Sequence, residues 1–220
     1  MPSIADLRTA CANYASSRNY DQSYASFRKA TEGAPNLFLS EHRAALLSWL
    51  NSWGCRQFAK NCHDLASFEI LEWYTLFHPI LPDSSRNLID LPETTLPDIQ
   101  AAYDSLADRV ASIRALRNGS LPTKVTVSET GASKILFAIR PHVFLPWDKA
   151  IRDKFFKNSQ GTTYTDFLMD AKKTLIEIRE ECERKNLDFS ALPFILGRPM
   201  SPIPKLLDEY NWATRMEEIG

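Results

Sequence analysis

Long apolar runs are missing from this chain: no stretch of about 18 or more apolar residues occurs. The N-terminal residues also lack the charged-then-apolar pattern of an export signal. A cytoplasmic protein with no membrane partner is therefore expected. Cysteine is scarce and scattered: Cys11, Cys55, Cys62 and Cys182 form no CxxC pair. That spacing argues against a disulfide framework and a zinc ribbon, and it suggests reduced thiols in or near a core. His42, His63, His78 and His142 show no ligand spacing, and the Cys62-His63 pair lacks further partners, so no metal is expected. There is no glycine-rich nucleotide loop, no GxSxG elbow and no HExxH, and no cofactor is expected. Internal repeats, low-complexity tails and sustained strand alternation are absent as well, which leaves an all-α fold.

What is present suffices for a folded core, since 220 residues at 44% apolar content can bury one. One globular helical unit over 1–220 is expected, with two lobes, about 1–97 plus the C-terminal helix, and 98–200. Ser3 to Arg18 carries Ile4, Leu7, Cys11 and Tyr14 at helical spacing behind a Ser3/Asp6 capping signature. Ser40 starts a helix with Ala44, Leu47 and Leu50 on one stripe, ending near Trp53-Gly54. Leu65 to Phe77 is dense in aromatics and is stopped by Pro79 and Pro82. Ile80 to Pro97 reads as a loop crossing between lobes. Asp98 to Arg117 resumes a helix through Ile99, Ala102, Leu106, Val110 and Ile113, and 118–127 reads as a turn followed by an extended connector. Thr162 to Lys185 is a one-sided surface helix through Phe167, Ala171, Leu175, Ile178 and Cys182. A last helix is expected from about Lys205, after Pro202 and Pro204.

Charge is nearly balanced overall at −1, but unevenly distributed. Residues 105–157 hold ten Lys/Arg against four acids, a local +6 that leaves −7 for the remainder. Such a segment is either a phosphate footprint or an ordinary solvated face. Within it, Gly131-Ala132-Ser133-Lys134 reads as a small-residue turn opening a short apolar helix, whose unpaired N–H groups suit a phosphate. Asp148 then follows Pro146 and Trp147 and precedes a second helical pattern, a position that fixes a carboxylate at a helix N-terminus.

This order of parts resembles the hairpin and catalytic aspartate of the helix-hairpin-helix DNA glycosylases, and Val143-Phe144-Leu145-Pro146-Trp147-Asp148 looks most like their alkylated-base branch. The resemblance covers about thirty residues. Where the family reads apolar-Pro-Gly-apolar-Gly, this chain has Val127-Ser128-Glu129-Thr130-Gly131, with Glu129 in place of the first glycine. The interval from Gly131 to Asp148 is shorter than in the family by about one helical turn. The resemblance implies a two-lobed all-α fold, double-stranded DNA carrying a modified base as partner, and action as a monomer. It assigns DNA contact to Thr130, Gly131, Ala132, Ser133 and Lys134, with Lys124 beside them. Bifunctional relatives place a nucleophilic lysine where Ser133 stands, so a monofunctional enzyme with Asp148 as its catalytic carboxylate is implied. The close cysteine spacing of iron–sulfur members is lacking. Small diverged prokaryotic relatives include antiviral enzymes acting on modified cytosines of phage DNA, such as glucosylated hydroxymethylcytosine.

A flipped base needs flat apolar walls and edge-reading polar groups. Trp49 to Phe58 supplies Trp53 as a wall and Arg56 as a donor, alongside Asn51 and Gln57. Trp147 is another wall, and Lys205 to Trp212 has a similar mix. Trp49 and Trp73 read as core, whereas Trp53 and Trp147 suit either core or pocket. Two other readings stay open: a non-catalytic helix-hairpin-helix binding module in which Asp148 only caps, and an unrelated all-α enzyme or toxin.

Overall fold

The computed structural model describes residues 2–17, 20–114, 121–156 and 162–217. Arg18, Arg117, Asn118, Gly119, Ser120 and Lys157 lie outside them, as does the Lys154 side chain. Among the described residues the fold is all-α apart from one short β-ribbon. In chain order the helices are α1 (Ile4–Ser17), α2 (Tyr20–Ala30), α3 (Ser40–Ser52), α4 (His63–Phe77), α5 (Leu96–Ala107), α6 (Ser128–Ile139), α7 (Lys149–Phe156), α8 (Tyr164–Arg184), α9 (Leu192–Ile195) and α10 (Ile203–Glu217). Strands β1 (Val110–Arg114) and β2 (Thr123–Thr126) lie between α5 and α6. No described helix is long and apolar enough to cross a membrane.

Two compact units are present, each woven from separated segments. The first comprises 1–19, 82–96 and 140–220; the second comprises 20–81 and 97–139. In the first, α1 packs along α10. The capping signature at Ser3 is realised: Asp6 N–H donates to Ser3 Oγ at 3.2 Å, and Ser3 N–H donates to Asp6 Oδ2 at 2.8 Å. Thr163 and Asp166 form the same reciprocal box at the start of α8. Residues Val143 to Trp147 are buried, and Tyr164 donates its hydroxyl proton to the Leu145 carbonyl at 2.9 Å.

The second unit is built around α6, in which every residue from Gly131 to Ile139 is buried. A helix apolar on all sides belongs in a core rather than on a surface. Against it sits an aromatic cluster: the Tyr24 and Phe137 rings stack at 5.3 Å, and Trp49 and Trp53 meet at 4.6 Å. Trp73 anchors α4 to α5 by donating from Nε1 to the Ala102 carbonyl at 2.8 Å. Helix α2, which the sequence reading leaves out, carries Tyr20, Tyr24 and Phe27 at i, i+4 and i+7.

One expected helix is shorter than its periodicity suggests. The helix expected over Asp98–Arg117 ends at Ala107, and Val110 to Arg114 instead form a strand paired antiparallel with Thr123 to Thr126. Val110 and Ile113 continue the spacing of Leu106, so the helical count runs on by coincidence. A paired strand wins because the extended partner is close in sequence, and Val127 N–H extends the ladder to the Arg109 carbonyl at 2.8 Å.

Candidate functional site

Asp148 is delivered by a rigid approach. Pro146 restricts the backbone, and Trp147 is locked in the core of the first unit, 2% exposed, with its ring stacked on Phe167 at 5.4 Å and 10°. Arg152 donates to the Trp147 carbonyl at 2.8 Å and lays its guanidinium 5.7 Å from the indole centroid. Asp148 itself is half-buried and caps α7, accepting the Ile151 N–H on Oδ1 at 3.1 Å. Trp147 is therefore a packing residue that orients its neighbour and not the pocket wall expected of it.

The turn that opens α6 lies about one helical turn earlier than expected. Gly131 is not in a turn: it is the fourth residue of α6, and the unusual backbone falls at Ser128, with φ of 63°. Gly131 is closely packed, since an added Cβ would lie 2.8 Å from Gln57 Nε2 and 2.9 Å from Val127 Cγ1 and would force those side chains to shift. Gln57 uses its amide to hold the entry of α6, donating to the Val127 carbonyl at 2.8 Å, and is thereby occupied. Ala132 and Ser133 are buried, the Ser133 hydroxyl donating to the Thr130 carbonyl at 3.1 Å, while Thr130 is half-buried. The first turn of α6, Ser128 to Gly131, remains the place where N–H groups lie outside the helix's own ladder.

Lys134 is turned into the protein. It is 9% exposed, donates from Nζ to the Trp53 carbonyl at 2.9 Å and stands 5.7 Å from the Trp53 ring centroid. It fastens the end of α3 to α6 and is not a phosphate contact. Trp53 is likewise core, its Nε1 donating to Ser23 Oγ at 3.1 Å. Arg56 is exposed, and Lys124 is exposed on β2 opposite Ile113. The paired wall and donor expected from Trp53 and Arg56 thus separate into a buried ring and a solvated guanidinium.

A charged cluster that the sequence reading does not single out lies in the first unit. Lys205, 2% exposed, places Nζ 2.5 Å from Asp208 Oδ2, 3.9 Å from Glu209 Oε1 and 4.1 Å from the Tyr14 ring centroid. Glu209, fully buried, is gripped by Arg198 through Nε at 2.9 Å and Nη2 at 2.8 Å. Burial alone would lower the Lys205 ammonium, but Asp208, Tyr14 and Glu209 outweigh it and hold that pKa above the ordinary lysine value. Burial pushes the Tyr14 phenol up to about 12 and raises the Cys11 thiol, which Glu209 raises further. One signal was available beforehand: Trp212 falls on the same helical face as Lys205, Asp208 and Glu209, and it meets Tyr14 edge-on at 5.3 Å.

An apolar cleft of about 140 Å³ opens elsewhere in the same unit, lined by Leu88, His142, Leu175, Phe189 and Pro204 among others; neither Asp148 nor Trp147 lines it. No protein-family model matches the chain, nor is any curated protein or solved structure significantly similar to it.

Proposed function

We propose that the protein is a monofunctional DNA N-glycosylase that releases a modified base and leaves an abasic site. The observation that carries this reading is Asp148: a half-buried carboxylate, held by the Ile151 N–H at the start of α7 behind a Pro146-Trp147 pair whose indole is buried against Phe167. A carboxylate held in this way needs little reorganisation as charge develops beside it. In the proposed reaction the C1′–N bond breaks and its electron pair leaves with the base. The Asp148 carboxylate stabilises the positive deoxyribose, and water adds its oxygen to C1′ and loses a proton. No amine is placed for a covalent step at the family's lysine position. Ser133 stands there with its hydroxyl turned to Thr130, and the neighbouring Lys134 is committed to Trp53. The substrate class suggested by the family resemblance is a modified base in double-stranded DNA, glycosylated cytosine among them.

The test is incubation with duplexes carrying alkylated, deaminated or glycosylated bases, scored for abasic sites. Base release from one class is expected, with strand breakage only after separate alkali treatment and no borohydride-trapped adduct. Asp148→Asn keeps the cap and should slow release by about 10²–10³-fold without loss of DNA binding. DNA binding without release on any substrate would make the chain a binding module in which Asp148 only caps. Neither binding nor release would remove DNA from the account.

A further inference from the structure

Ten cations make residues 105–157 basic, and the fold gives half of them fixed duties. Arg109 pairs with Glu69 at 3.5 Å and Lys149 with Asp153 at 2.6 Å, while Lys134, Arg140 and Arg152 donate to the carbonyls of Trp53, Pro82 and Trp147. Among the described side chains of that segment, Arg114 and Lys124 alone stay exposed and unpaired. Both are on the β1–β2 ribbon. A distant stretch of the second unit joins them there. Gln57 donates to the Val127 carbonyl at 2.8 Å just past β2, and Cys62 Sγ lies 4.0 Å from the Ile113 carbonyl oxygen of β1, so residues 57–62 run beside the ribbon. Arg56 and Lys60, at the start and in the middle of this stretch, are likewise exposed and unpaired. We propose that Arg56, Lys60, Arg114 and Lys124 form one basic surface that binds the sugar–phosphate backbone of double-stranded DNA. The choice of DNA as the polyanion rests on the base-release reading.

Both stretches are free of acids. Residues 54–63 and 109–128 contain no Asp or Glu, and Asp64, Asp108 and Glu129 stand only at their borders. The four cations therefore act on a ligand with little internal cancellation, and a duplex offers one negative charge about every 1.7 Å of its axis. The register sets Lys124 beside Ile113 on one face of the ribbon and Arg114 beside Thr123 on the other, so the ribbon presents a cation to each side. Exposed Thr123, Thr126 and Asn61 add hydroxyl and amide donors of the kind that bond phosphate oxygens. Contacts of this type position a duplex without reading its sequence.

Two fourfold variants of the full chain, matched in charge, test this by fluorescence anisotropy with a short unmodified duplex over a salt series. R56Q/K60Q/R114Q/K124Q removes the proposed surface, and R8Q/R86Q/K173Q/R184Q removes four exposed cations of the first unit. Melting temperatures should hold in both, because no protein partner is lost. In the first variant the slope of log K against log salt should become shallower by about 3–4, one counterion released per lost contact, and in the second it should stay near that of the wild type. Equal losses in the two variants, or wild-type binding by the first, overturn the proposal. Polyglutamate that displaces the wild type as well as duplex of equal charge also overturns it, since the surface would then suit an acidic peptide. If the binding pattern is as expected but no modified duplex yields an abasic site, the surface stands and the glycosylase reading fails. If the first variant keeps wild-type affinity and base release, that reading stands and the surface fails.

Discussion

Helices α6 and α10 both bury polar side chains, and they satisfy them by opposite means. In α6 the lysine ammonium is answered by a neutral backbone carbonyl, Lys134 to Trp53, and the serine hydroxyl by another, Ser133 to Thr130. In α10 the lysine is answered by a carboxylate, and a second carboxylate is gripped by a guanidinium. Carbonyl solvation leaves no counter-charge to strand when the lysine is removed. An ion network strands one whenever a single member is lost. The contrast teaches that burial alone does not define how sensitive a buried lysine's surroundings are; the partner's charge does.

The strongest way to break this contrast is Glu209→Ala. Leaving Arg198 buried without its carboxylate should cost about 3–5 kcal/mol of unfolding free energy in urea titration. Alkaline titration comes next. The folded-state pKa values of Tyr14, Lys205 and Cys11 all lie above their ordinary values, so the unfolded chain loses these protons first and stability falls as pH rises. The melting temperature should decline from about pH 9 upward, the ordinary region of a thiol, and through the ordinary phenol range near 10. Tyr14→Phe should flatten the stretch between about 10 and 12, where the phenol alone contributes roughly 2–3 kcal/mol. An unchanged alkaline slope in that variant would show that Tyr14 is not the titrating group.

Lys134→Met should be milder, about 1–3 kcal/mol, since only one hydrogen bond to a carbonyl is lost and the aliphatic stem is kept. Equal losses in Lys134→Met and Glu209→Ala would erase the distinction between the helices. The smallest effect is expected at exposed Lys124 on β2. Lys124→Ala should leave the melting temperature unchanged, weaken DNA binding uniformly across sequences and lower the salt slope by about one contact.

How far such features were readable beforehand varied with their origin. The capping pair Ser3/Asp6 and the apolar stripes of α1, α3 and α8 are local, and local patterns survive folding. Strand β1 was hidden because Val110 and Ile113 also fit a helical count, and only pairing with Thr123–Thr126 decides between them. Gly131 has the look of a turn residue, whereas its role comes from Gln57 and Val127, distant or flanking groups that no local rule weighs. Asp148 as a cap was visible from Pro-Trp-Asp ahead of a helical pattern. The α10 network was not, because counting apolar positions passes over Lys205, Asp208 and Glu209 although all three are buried.

The pairing of α1 with α10 has a consequence for how the chain is made. Their contact joins residues separated by about 190 positions, and Ile4 N–H also donates to Glu181 at 3.1 Å. During synthesis α1 emerges early, with Leu7, Cys11 and Tyr14 lacking the surface that finally covers them, and it must wait until α10 has left the ribosome. The second unit, whose last segment ends at Ile139, is complete well before that. Folding should therefore proceed from the middle outward. Until α10 arrives, α1 is then the part most exposed to chaperones and proteases.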